Sequence, residues 1–194
     1  CRMDHAHRAP HCALLSLNRI QLPFDDMASP IVGSRTLRGH ANQSVAELAR
    51  LVGPVDGLVQ SAVGANNDAP TTSRIATGEL FDQAGLQALD RARVVVSVRL
   101  HGAIMALAAG HYVVHLSYER KGFGAFEDLG LTEYVHNVYS FSPATVANQV
   151  RTLQQSPEAR SRYDECVARA QERLHASRRA IVTAMHTATM GARP

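Results

Sequence analysis

Aromatic residues make up only 5% of this 194-residue chain. No basic stripe is interleaved with them, so the stacking platforms and cationic grooves of nucleic-acid binders are missing. Cysteine is scarce as well. Cys1, Cys12 and Cys166 are far apart, odd in number and form no CxxC pair, which supports neither a disulfide framework nor a zinc knuckle. That usage fits a reducing cytoplasm. No apolar run approaches the roughly 18 residues that a membrane-spanning helix needs. The first 20 residues do not read as a signal peptide, because His5, His7, Arg8 and His11 interrupt any apolar stretch. There is no GxGxxG, no P-loop and no HExxH. His5, His7 and His11 cluster without cysteine or acidic partners at ligand spacing, and His111 and His115 share no expected helix, so no metal is expected.

What is present is ample for a core: 45% of residues are hydrophobic, enough for one generous domain or one domain plus part of another. Twenty basic residues against 17 acidic ones give a net charge of +3. That mild excess suits an anionic substrate or peripheral contact with an anionic membrane surface; the plain alternative is a solvated surface, since many arginines fall in the C-terminal helices.

Along the chain, residues 13–17 read as a strand and 25–39 as a loop containing Pro30, Gly33 and Gly39. Residues 44–52 read as a helix, with Val45, Leu48 and Leu51 near one face and Ser44 and Glu47 in a capping-box pattern. A strand is expected around Gly57, Leu58 and Val59, a loop over 64–72 (GANNDAPTT), and a helix over 77–89 with Leu80, Phe81, Leu86 and Leu89 inward. Further on, 123–129 reads as a helix and Tyr134–Val135 as a short strand. Ser142-Pro143 and Ser156-Pro157 each open a helix, the second running to about Met185 on a stripe of Val167, Ala170, Leu174 and Ile181. The β-α alternation predicts one parallel sheet through the chain.

Residues 94–121, VVVSVRLHGAIMALAAGHYVVHLSYERK, hold the densest information. The β-branched run 94–98 marks a strand buried on both faces. It stops at Arg99-Leu100-His101; a small, apolar helix follows over 102–109, and Gly110 ends it. Residues 112–116 form a second strand, with Ser117, Tyr118, Glu119, Arg120 and Lys121 in the loop beyond. In open parallel sheets ligands bind outside the carboxyl ends of the strands. Arg99, His101, Ser117, Tyr118 and Lys121 are therefore expected to line one cleft.

The compound pattern Ser-x-Arg-Leu-His-Gly-x-Ile-x-Ala-x-x-x-Gly, then Ser-Tyr-x-x-Lys, then Phe-x-x-Leu-Gly-Leu at 126–131, resembles the C-terminal domain of the polysaccharide pyruvyl transferase family. The likeness runs from about 90 to 180, with 1–89 matching only loosely. The family often has proline after the helix-ending glycine and one more residue; Gly110-His111-Tyr112 has none, which bears on the turn more than on the chemistry. The resemblance implies an α/β, Rossmann-like half of a GT-B-type two-domain enzyme with a C-terminal helical extension. It implies transfer of a pyruvyl group from phosphoenolpyruvate, with no separate cofactor, to a glycan or lipid-linked sugar, in the cytoplasm and at the inner membrane face if the acceptor lies there. The chain begins with Cys rather than Met, and with the partial likeness this leads us to expect a fragment lacking an upstream domain.

Within that resemblance Arg99 is the expected anion grip, Ser117 and Tyr118 further substrate contacts, and His101 and Lys121 the catalytic pair. A guanidinium can hold a carboxylate or phosphate bidentately, and the helix start beside it adds positive potential. Histidine titrates near neutral pH and suits proton transfer, and a lysine can stabilise charge on a leaving phosphate. Each has a bland alternative: Arg99 in a salt bridge with a neighbouring acid, His101 as a helix cap, Lys121 as a solvated cation, Tyr118 as packing. Two other functions also stay open, a nucleotide-sugar glycosyltransferase domain with Glu119 or Glu127 as the ribose acid, and an inactive interaction domain.

Overall fold

The computed structural model describes residues 13–16, 32–62, 67–90 and 92–191. His5, His7 and His11 and residues 25–31 of the expected 25–39 loop lie outside them; residues 32–39 of that loop are helical instead. Six strands among the described residues form one sheet: β1 (Ala13–Ser16), β2 (Val55–Leu58), β3 (Leu80–Phe81), β4 (Val94–Ser97), β5 (Tyr112–Ser117) and β6 (Val135–Asn137). Their order is β3-β2-β1-β4-β5-β6 and every neighbouring pair is parallel. This is the doubly wound Rossmann-like order, whose reversal point lies between β1 and β4. Val94, Val95 and Val96 face Tyr112, Val113 and Val114 in register, so the two expected strands pair directly.

The helices are α1 (Val32–Val52), α2 (Ala69–Ile75), α3 (Gln83–Gln87), α4 (Leu100–Ala108), α5 (Arg120–Asp128), α6 (Pro143–Gln155) and α7 (Pro157–Gly191), with a 3-10 turn at Thr132–Tyr134. The chain leaves the reversal point in opposite directions, so right-handed connections put α1 and α4 on opposite faces. α6 returns to pack on α1 and against β4 and β5. Small residues let α4 approach the sheet closely: Gly102, Ala103 and Ala106 are its buried positions. Gly110, at φ +81°, ends that connection in the left-handed region.

Four elements differ from expectation. Residues 77–89 do not form one helix. Leu80 and Phe81 extend as β3, Leu80 is half exposed, and Asp82 caps α3 by accepting from Gly85 N at 2.8 Å. A short edge strand carries too little periodicity to be told from a helical turn. α1 begins at Val32, so Ser44 and Glu47 lie inside a helix rather than at its start, and the expected loop over 64–72 gives way to α2 from Ala69. The stripe on α7 is buried only at its start: Ala170 is covered, whereas Leu174, Ile181, Val182 and Met185 are 68, 61, 47 and 65% exposed.

β6 pairs only with His115, Leu116 and Ser117, which leaves Val113 at an open edge. Tyr163 of α7 closes that edge. Its hydroxyl accepts from Val113 N and donates to Val113 O, both at 3.0 Å, and burial pushes the phenol pKa up. Tyr163→Phe keeps the ring but orphans a buried donor and acceptor. It is expected to lower the free energy of unfolding by about 1–3 kcal/mol, read from the urea midpoint, whereas Tyr112→Phe, whose hydroxyl meets exposed Asp164, costs less.

Candidate functional site

Two buried serines end the central strands in the same way. Ser97 Oγ donates to the Arg99 carbonyl at 2.8 Å, and Ser117 Oγ donates to the Glu119 carbonyl at 2.8 Å. Each hydroxyl, hidden from water, is satisfied by bending the chain back two residues further on. Arg99 and Glu119 consequently stand at the N-caps of α4 and α5 in extended conformation. Two charged residues of opposite sign thus sit at the carboxyl ends of adjacent strands.

Between them lies a cleft of about 260 Å³. Arg99, Leu100, His101, Gly102 and Met105 come from the start of α4; Tyr118, Glu119 and Lys121 follow β5; Gln60 and Ser61 follow β2; Gln83 and Leu86 come from α3. Four of the five expected site residues, Arg99, His101, Tyr118 and Lys121, therefore share one wall of space. Ser117 does not: it is buried beneath the first turn of α5 and shapes the turn instead of meeting the cleft. Lys121 is not in a loop either, since α5 begins at Arg120. It is 79% exposed, with Nζ 3.8 Å from Glu119 Oε2, an ion pair loose enough to exchange for another anion.

Arg99 is not simply open to the cleft. Its Nη2 donates to Asp68 Oδ1 at 2.6 Å, with the acid side chain 1% and the arginine 21% exposed. The salt-bridge alternative thus holds, and the arginine also lines the cleft. His101 is exposed in the first turn of α4, and Arg99, not His101, occupies the N-cap. Gln60 lies against Gly102, where a Cβ would overlap its amide, so the glycine lets the β2 loop close on the start of α4. Tyr118 has its phenol pKa pushed up by burial and then by Glu119, with Arg99 opposing, so it remains a proton donor at neutral pH. Among the described residues no group of three or more His, Cys, Asp or Glu side chains is placed to hold a metal, and no helix is long and apolar enough to cross a membrane.

Asp68, Gln60 and Gln83 were not singled out from sequence. Asp68 precedes Ala69-Pro70 and reads as a helix cap; nothing in the local pattern points to an arginine 31 positions away.

Residues 34–120 match the family model described as polysaccharide pyruvyl transferase. This is the family that the 97–131 pattern resembles, but the match lies further upstream than the expected 90–180. It takes in α1, β2 and Asp68 and stops one residue short of Lys121. The family is a transferase family of polysaccharide biosynthesis. No curated protein and no solved structure matches the chain.

Beneath the cleft, His115 is buried on β5 and stacked on Phe126 at 5.2 Å, donating from Nδ1 to the Ser97 carbonyl at 2.8 Å. Burial pulls its pKa down, opposed by the Ser97 hydrogen bond and by Glu119. The unfolded chain therefore binds a proton more readily, so the neutral imidazole stabilises the fold above an ordinary histidine pKa of about 6.5 and that contribution is lost as pH falls below it. Unfolding free energy is expected to drop between about pH 7.5 and 5.5, and to drop less in His115→Gln. Equal slopes in urea titrations of the two proteins would remove His115 as the cause.

Proposed function

We propose that this chain carries the phosphoenolpyruvate-binding half of a GT-B-type pyruvyl transferase, acting on a sugar hydroxyl of a glycan or lipid-linked precursor. The observation that carries the reading is the shared cleft of Arg99, His101, Tyr118 and Lys121 at the carboxyl ends of β4 and β5. The donor is small and carries a carboxylate and a phosphate. A guanidinium, an ammonium and the amides that open α4 suit those two anions.

In the proposed chemistry His101 delivers a proton to the methylene carbon of the enol. The neighbouring carbon becomes electrophilic, and a sugar hydroxyl adds to it, forming a carbon–oxygen bond and returning its proton to the histidine. A second hydroxyl then forms a carbon–oxygen bond to the same carbon as the bond to phosphate breaks, closing a cyclic ketal; its proton departs with the phosphate, whose charge Lys121 stabilises. Arg99 holds the donor in both ground and transition states, and the Tyr118 hydroxyl adds a hydrogen-bond donor.

Glu119 also lines the cleft, the acid that a nucleotide-sugar ribose would need, so the test sets the two donors side by side. In calorimetry on the intact enzyme, phosphoenolpyruvate is expected to bind more tightly than a nucleotide-sugar; the reverse order overturns the reading. His101→Ala is expected to lower kcat about a hundredfold or more with little change in KM for phosphoenolpyruvate. Arg99→Ala is expected chiefly to raise that KM, by about tenfold or more, because it removes charge-assisted hydrogen bonds present before reaction. Near-normal turnover of correctly folded His101→Ala would deprive the mechanism of its acid–base group.

A further inference from the structure

Asp68 stands at the N-cap of α2, where an aspartate ordinarily accepts from the amides of its own helix. It does not do so: no side-chain cap hydrogen bond forms, and the carboxylate turns to Arg99 Nη2 at 2.6 Å. The backbone there is fully engaged, with Asp68 N donating to Ser61 O at 2.8 Å and Asp68 O accepting from Thr71 and Thr72. The loop is thus anchored while the side chain is assigned elsewhere. A carboxylate removed entirely from water persists as an ion only beside a cation. The partner it holds is the one arginine among the residues lining the cleft.

We propose that Asp68 is the positioning residue for Arg99, fixing the guanidinium at the cleft wall. The proposal rests on the reading of Arg99 as the donor grip. Its consequence is that the charge of Arg99 is offset within the pair: Arg99 recognises an anion by the direction of its N–H groups, and further positive potential comes from the start of α4 and from Lys121 once its loose pair with Glu119 exchanges for the ligand. Asp68 touches no substrate; it acts through Arg99.

The test uses Asp68→Asn, which keeps the size of the side chain and removes its charge, alongside Asp68→Ala. With the whole protein, Asp68→Asn is expected to raise KM for phosphoenolpyruvate about tenfold while kcat changes less, the loss being that of a charge-assisted hydrogen bond. In an Arg99→Ala background the same change is expected to add nothing, since its route is already cut. An unchanged KM in folded Asp68→Asn, or an equal further loss in the Arg99→Ala background, would overturn the proposal. A crystal structure of Asp68→Asn supplies an arm that needs no turnover: displacement of the Arg99 guanidinium supports positioning, and an unmoved one refutes it. If the wild-type protein bound no phosphoenolpyruvate, the functional reading would fall, and the Arg99 position alone would decide the role of Asp68.

Discussion

The hydroxyl of Ser97, bonded to the Arg99 carbonyl at 2.8 Å, is the constraint on which the cleft depends. Ser97 is buried, and its hydroxyl is satisfied where the chain bends back two residues further on. The turn sets Arg99 in extended conformation, and α4 starts on the next residue. With Ser97 and Ser117 repeating the device on adjacent strands, two helix starts face one space. Their spacing is set by the parallel register of β4 and β5, two largely buried strands, so the geometry above the sheet is inherited from apolar packing below it.

Local signals carried the elements of this region. The β-branched run, the small helix and Gly110 gave β4, α4 and the return to β5, because each depends on a few consecutive residues. Ser142 and Pro143 gave the start of α6, where Ser142 Oγ accepts from Thr145 N. Where packing decides, the pattern misled. Ser44 and Glu47 look like a helix start yet lie within α1, since propensity is a weak prior against the contact of α1 with α6. Residues 77–89 hold an edge strand and a capped turn of helix, both too short for periodicity to register. Following a strand, Ser117 reads as a ligand contact; its burial and its bond to the Glu119 carbonyl make it a turn-former. Gln60 and Gln83, which line the cleft, and Asp68, which pairs with Arg99, acquire meaning only when the sheet order brings the ends of β2 and β4 near one another.

That order has a second effect. Strands β2 and β4 are separated by β1 alone, so loops distant in sequence meet over the reversal point. The matched family segment, 34–120, spans from α1 to the start of α5 and so contains Gln60 and Ser61 on one side of the cleft and Arg99 and Tyr118 on the other, together with Asp68, which pairs with Arg99. Lys121 lies one residue beyond it, on the first turn of α5, and is the more exposed of the two cations.

The 35-residue α7 is anchored unevenly. Its first turns hold Ala159 and Tyr163 in the core and Ala170 at its margin, but every described side chain from 171 to 187 is exposed. Most helical stability in proteins comes from packing of one face, and the described side chains of this outer stretch receive no help from burial. Beyond Arg173, whose guanidinium donates to the Asp128 carbonyl, its backbone hydrogen bonds are held chiefly by propagation from the anchored end. Amide protons along α7 would exchange with solvent on a gradient, slow at Tyr163, where opening must disturb β5, and progressively faster outward as each turn depends on the one before it.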